Sequence, residues 1–232
     1  MRVIAVKLPL TLLICLFLAG CGWFSNEERD QFAGLTTEEQ FYRRALEQLT
    51  SSNFMGPIAT YQALEARFPF RRFAAQAQIE IVYAYYRNGD AEASRAAADR
   101  FIRLHPDNEN IDYAYYMKGL SSFTDDRGLI NRFLPVDPTK RDPGRARESF
   151  SDFSQLLALY PDSPYAGDAR ARMVFLRNNL AGYEVHVANY YLDRRAYIAT
   201  LRPGHYLVEN FNGTHAVAAG AAILVEYTLR LG

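Results

Sequence analysis

The residue with the most distinctive chemistry is Cys21. It follows Leu18-Ala19-Gly20 at the end of an apolar run that starts at Leu8, and Arg2 and Lys7 precede that run without an acid. A basic start, a short apolar stretch and small residues before a cysteine make the pattern of a bacterial lipobox. A thiolate is a good nucleophile towards a lipid donor, so Cys21 is expected to carry N-acyl and S-diacylglycerol lipid once residues 1–20 are removed as a signal peptide. The alternatives are an ordinary signal peptide with a chance cysteine, or a short membrane helix. Several acyl chains hold a bilayer more firmly than the marginal single-chain case. Residue 22 is Gly rather than Asp, which by the bacterial sorting rule favours the outer membrane. Residues 21–36 read as a lipidated tether.

No other residue set announces chemistry. His105, His186, His205 and His215 are scattered without metal-ligand spacing, so no metal is expected. Asp125, Asp126 and Asp137 lack the ligand ladder of a calcium loop. A phosphate loop, G-x-G-x-x-G, G-x-S-x-G and H-E-x-x-H are all missing, which predicts no catalytic residues and no soluble cofactor. The sequon Asn212-Gly213-Thr214 reads as chance. Lys+Arg 26 equals Asp+Glu 26, and losing Arg2 and Lys7 leaves a net charge of −2, so nothing points to nucleic acid. Processing also removes Cys15, so the one remaining cysteine cannot form an intramolecular disulfide. With 232 residues and 49% hydrophobic content the chain is far from disordered composition, and Tyr 16 and Phe 15 against Trp 1 demand close packing or aromatic binding surfaces.

The elements that must position these aromatics are helical. Apolar residues recur at three- and four-residue spacing, and a helix ending repeats. Tyr61, Leu64, Phe68 and Pro69 give the first copy; Ala98, Phe101, His105 and Pro106 the second; Phe153, Leu156, Tyr160 and Pro161 the third. Gly204, Leu207, Phe211 and Asn212 give a weakened fourth. These positions fall at i, i+3 and i+7 along one helix face, and the proline stops the helix. A second motif repeats too: Ile81, Tyr83, Ala84, Tyr85, Tyr86 and Gly89 echo Ile111, Tyr113, Ala114, Tyr115, Tyr116 and Gly119. Gly89-Asp90 and Ser52-Asn53 supply turns between paired helices.

This spacing resembles the tetratricopeptide repeat, a helix–turn–helix unit of about 34 residues. Pro69 and Pro106 match that period, whereas Pro106 and Pro161 lie further apart, which places an insertion at 124–142. Helices are predicted over 37–51, 54–68, 71–88, 91–104, 109–123, 143–159, 165–194, 196–211 and 214–230. The fold class is therefore all-α, a right-handed tetratricopeptide superhelical solenoid of about five helix pairs with a concave surface. Units one and two fill 37–107 and units three to five fill 108–232. Leu64, Tyr83, Phe101, Tyr113, Phe153 and Leu156 are assigned to the core. Arg71-Arg72 and Arg141, Arg145 and Arg147 read as solvated helix starts, with partner binding as the alternative.

Taken together, the lipobox, Arg67-Phe68-Pro69-Phe70, Ile81 to Tyr86, Arg100 to Leu104, Asn110 to Tyr113, Asp142-Pro143, Ser149 to Phe153 and Met173 to Leu176 resemble the BamD (ComL) family of outer-membrane assembly lipoproteins. The resemblance covers about residues 15–200. It implies five repeat units on the periplasmic face of the outer membrane, within the complex that folds and inserts β-barrel proteins. It also implies partners: the last POTRA domain of the barrel protein BamA on the C-terminal half, BamC- and BamE-like lipoproteins, and unfolded barrel proteins on the N-terminal half. Candidate groove residues for such a substrate are Phe54, Tyr61, Arg67, Phe68, Phe70, Arg71 and Tyr86. Candidate partner contacts are Phe133, Leu134 and Arg202; the insertion tip 133–136 could instead pack back on the solenoid.

Two departures from the family pattern carry expectations. Arg202-Pro203-Gly204 stands where the family has Asn-Arg, and proline and glycine inside a helix cost about 3 and 1 kcal/mol relative to alanine, so a kink or split is expected. The family also continues with one more helix past the position of Gly232, which leaves Ala216, Val217, Ile223, Leu224 and Val225 short of a cap. The functional alternatives are a periplasmic repeat lipoprotein that coordinates cell-wall or division factors, and a peptidoglycan hydrolase, which lacks its paired carboxylates.

Overall fold

The computed structural model describes residues 32–50, 54–123 and 137–231. Cys21, most of the tether, the Ser52-Asn53 turn, and Phe133 and Leu134 of the insertion lie outside them. Among the described residues there are nine α-helices and no strand: α1 Glu38–Leu49, α2 Met55–Arg67, α3 Ala74–Arg87, α4 Ala91–Leu104, α5 Ile111–Ser122, α6 Gly144–Leu159, α7 Ala166–Asp193, α8 Tyr197–Asn210 and α9 Ala216–Leu231. A 3-10 turn, Pro138–Lys140, precedes α6. No described helix is long and apolar enough to cross a membrane.

Local chemistry sets these boundaries. Thr37 and Gln40 close a capping box on α1, with Glu38 and Glu39 against the positive end of the helix dipole. Gly89 turns the chain at φ 81°, a region that glycine enters without steric cost. The Asp90 carboxylate then accepts from the Ala93 N–H at 3.0 Å and caps α4. The repeated ending is a repeated structure. The backbone N–H groups of Phe68, His105, Tyr160 and Phe211 donate to the carbonyls of Leu64, Phe101, Leu156 and Leu207 at 2.8, 2.9, 2.8 and 3.1 Å. Those four acceptor residues are fully buried, or within 1% of it.

Each helix packs on the next, α3 also meets α5, and α7 also meets α9. This is a tetratricopeptide-like stack: four pairs followed by a ninth helix among the described residues. One cluster joins Phe32 to α1, α2 and α3 through Phe41, Ala45, Tyr61, Leu64, Ala77 and Ile81. A second runs from α3 to α7 around Val82, Phe101, Met117, Phe153, Leu156 and Leu176. Burying each large side chain there contributes about 2–3 kcal/mol. A third cluster is small: Leu180, Ala181, Leu207 and Phe211.

Three expectations change. Phe32 is not tether, because its ring packs 5.6 Å from that of Phe41. Tyr83 and Tyr113 are half-buried at the core margin rather than inside it. And α8 is not split at Pro203, although proline removes one hydrogen bond there. Packing holds the helix together: Pro203, Gly204 and Leu207 are all buried. A Cβ on Gly204 would lie 2.9 Å from Leu224 Cδ2, and one on Gly220 would lie 2.9 Å from Leu207 Cβ. The two glycines let α8 and α9 approach at a distance that no larger residue permits.

Candidate functional site

A strip of tyrosines and polar side chains runs across alternate helices, α1, α3, α5 and α7. Residues at i, i+4 and i+7 share a helix face, so α3 brings Gln76, Glu80 and Tyr83 together. From α1, Tyr42 adds its ring, 5.9 Å from Tyr61 and stacked on Phe73 at 4.8 Å. From α5 come Tyr113 and Tyr116, whose rings lie 5.3 and 4.8 Å from Tyr165. On α7, Asp168 accepts from the Tyr116 hydroxyl at 2.7 Å and from Arg172 at 2.5 Å. The Arg172 guanidinium also lies 4.6 Å from the centre of the Phe123 ring.

The electrostatics of the strip follow from partial burial. Gln76 donates to Glu80 at 3.0 Å. Burial nevertheless holds the Glu80 carboxyl above its usual range, and Gln76 offsets this only partly. Burial, then the Glu80 charge, raises Tyr42, Tyr61 and Tyr113. Tyr116 is pushed up to about 12 by burial and by its bond to Asp168. Burial favours the neutral acid at Asp168, but hydrogen bonds from Arg172 and Tyr116 outweigh it and leave that carboxyl below its ordinary value. The strip therefore presents neutral hydroxyls that donate and accept, ringed by fixed charges. It is suited to binding by hydrogen bonds and cation–π contact.

The predicted groove residues are not brought to one surface. Tyr61 is fully buried, and its hydroxyl has no hydrogen-bond partner. Phe54 is 7% exposed beneath the Arg87 guanidinium, which lies 4.8 Å from the ring centre. Tyr86 is half-buried against the second core cluster. Arg67 and Phe68 do meet, around Phe41: the guanidinium is 4.9 Å and the Phe68 ring 6.0 Å from the Phe41 ring centre. Phe70 is 98% exposed, with Arg71 exposed beside it, on the turn between α2 and α3.

Arg202 has a more definite setting. It lines a groove of about 730 Å³ between α6, α7 and α8, with Tyr191, Ile198, Pro203 and Tyr206. A 460 Å³ hollow continues it, sharing Arg147, Glu184 and Tyr206. Arg147 pairs with Glu184 at 3.1 Å, and Arg145 with Glu92 at 3.1 Å, so these two half-exposed arginines face water as expected and also reach carboxylates on neighbouring helices. Ile198 stands 78% exposed at the groove's edge.

Sequence reasoning missed two arrangements. The tyrosine strip was masked because tyrosines at helical spacing read equally as core; the polar i, i+4 pairs Gln76/Glu80 and Asp168/Arg172 on the same faces were the available signal. The other is an ion cluster across α4, α5 and α6. Asp152, whose side chain is 6% exposed, pairs with both Arg95 and Lys118, and Lys118 also reaches Asp99 at 2.8 Å. Arg95 donates to the Ser122 hydroxyl at 2.8 Å. Nothing local to any one of those helices announces it.

Comparison with known proteins gives one consistent outcome. Residues 35–232 match the family model YfiO, described as outer membrane lipoprotein. The chain is 38% identical over 219 residues to a Neisseria meningitidis protein called outer membrane protein assembly factor BamD, covering 94% of this chain and 82% of that one. Proteins of the same name from Vibrio cholerae and Xylella fastidiosa are 37% and 31% identical, covering 83% and 96% of this chain and 80% and 76% of theirs.

Proposed function

The chain belongs to the outer membrane lipoprotein family YfiO, and from that premise we propose that it serves outer-membrane protein assembly as a non-enzymatic binding subunit. It is held on the periplasmic face by acyl chains on Cys21. It receives unfolded β-barrel proteins and binds the POTRA region of a BamA-like barrel, with BamC- and BamE-like lipoproteins as further partners. The observation that carries this reading is the tyrosine strip. An unfolded barrel strand is extended, with side chains alternating between two faces. A row of half-buried rings accepts one face, while hydroxyls and the Asp168–Arg172 pair hold its backbone groups. No step needs nucleotide, so binding must be moderate and release must follow from competition by the next component.

The groove around Arg202 suits the other role. Its exposed Ile198 and Tyr206 offer apolar contact, and Arg202 favours an acidic group on the partner, Arg147 being already paired with Glu184. Photocrosslinking distinguishes the two surfaces. A crosslinker placed at Tyr83 or Tyr116 is expected to capture a barrel protein during export, and one at Ile198 to capture the BamA-like subunit continuously. Capture of neither at either place would sink the proposal.

A further inference from the structure

The turn between α2 and α3 is used neither by the tyrosine strip nor by the Arg202 groove. It carries the most exposed large apolar side chain of the described residues, Phe70 at 98%. Pro69, Arg71 and Arg72 around it are exposed as well. The stretch 66–79 holds three arginines, Arg67, Arg71 and Arg72, and no acid. An aromatic ring left almost wholly in water on a basic tip marks a surface for contact with something else.

The path of the chain says where. Phe32 packs on Phe41, and the Arg67 guanidinium lies 5.7 and 4.9 Å from the centres of those two rings. The N-terminal chain thus joins the fold at the end of α2, directly beside this turn. Cys21 lies eleven residues before Phe32. Eleven residues span at most about 40 Å even when fully extended. Acyl chains on Cys21 would therefore keep the turn within one short tether of a bilayer. Cationic side chains gain from an anionic lipid surface, and an aromatic ring among them partitions into the headgroup boundary.

We propose that the α2–α3 turn is a membrane-docking tip, with Phe70 seated at the headgroup boundary and Arg71 and Arg72 on anionic phosphates. This rests on the anchored reading above. Docking there would hold the first helix pair against the bilayer and fix the direction in which the tyrosine strip faces.

The test uses the full acylated chain in vesicles. With Cys15 removed and Cys21 acylated, Phe70→Cys supplies the only free thiol, to which an environment-sensitive fluorophore is attached. Vesicles of phosphatidylethanolamine with phosphatidylglycerol are expected to shift its emission to the blue and to protect it from an aqueous quencher; neutral phosphatidylcholine vesicles are expected to do so much less. Arg71→Glu with Arg72→Glu should lower the docked-to-free ratio by at least about twenty-five-fold, at roughly fivefold per arginine lost from an anionic surface. An unshifted emission on the anionic vesicles, or an equal shift on neutral ones, overturns the proposal. So does a shift that appears only when an unfolded barrel protein is added, because the tip would then be a peptide site. Failure of the anchored reading looks different: the protein would not float with vesicles and would show no acyl mass.

Discussion

The two halves of the solenoid are held together by different means. From α1 to α6 the interior is large and aromatic, and a cluster of ions and hydroxyls pins three helices across it. Beyond the middle of α7 the buried side chains are smaller, with one cluster of Leu180, Ala181, Leu207 and Phe211, and α8 and α9 meet through small contacts, Gly204 on Leu224 and Gly220 on Leu207. There Ile198, Val225 and Leu229 remain 78%, 58% and 77% exposed. The second half packs through smaller side chains and leaves more apolar surface open, as the proposed partner-binding role would require.

The comparison breaks first at Asp152. In Asp152→Ala, the largely buried Arg95 loses the carboxylate it pairs with, and Lys118 keeps Asp99 alone. The loss should be about 3–5 kcal/mol, and because the cluster spans α4, α5 and α6 the whole N-terminal body should melt at lower denaturant. A denaturation midpoint unchanged from the parent would mean that the cluster is decorative.

A smaller, local effect is expected at the other end. Gly220→Val forces a side chain into space that Leu207 occupies, at a cost of about 1–3 kcal/mol. Hydrogen exchange should rise in α8 and α9 and stay unchanged in α3 to α6. Uniform loosening of the chain would show that the halves are one cooperative unit.

The smallest effect sharpens the picture of the strip. The folded state holds the Glu80 proton more tightly than the ordinary value of 4.5, mainly through burial. The unfolded chain therefore releases that proton at lower pH, and stability falls as pH rises from 4.5 through the folded value, with the full penalty present above it. Glu80→Gln should flatten that part of the pH–stability curve and leave the protein slightly more stable at neutral pH. An identical slope in both proteins would remove Glu80 from the account.

How much of this was legible beforehand depends on the kind of residue. Helix ends were readable because caps and stops act within one turn: Gly89, Asp90 and the prolines after Phe68, His105 and Tyr160 mark them wherever they occur. The side of the core on which a tyrosine falls was not readable. Tyr61 and Tyr83 both lie inside helices, yet one is fully buried and the other half-buried, because neighbouring helices decide what covers them. Propensity alone makes Pro203-Gly204 a flaw; Leu224, on the following helix, turns the glycine into the contact point.

The sequence alone, then, determined the helical stack, its period and the family to which the chain belongs. Those features are written in spacing and local backbone preference, which need no partner to be expressed. Only the tertiary structure decided which aromatics became a surface, which arginines found carboxylates on other helices, and where the chain enters beside the α2–α3 turn. Such pairings join residues far apart in the chain, and the free energy that selects them exists only once the helices have packed.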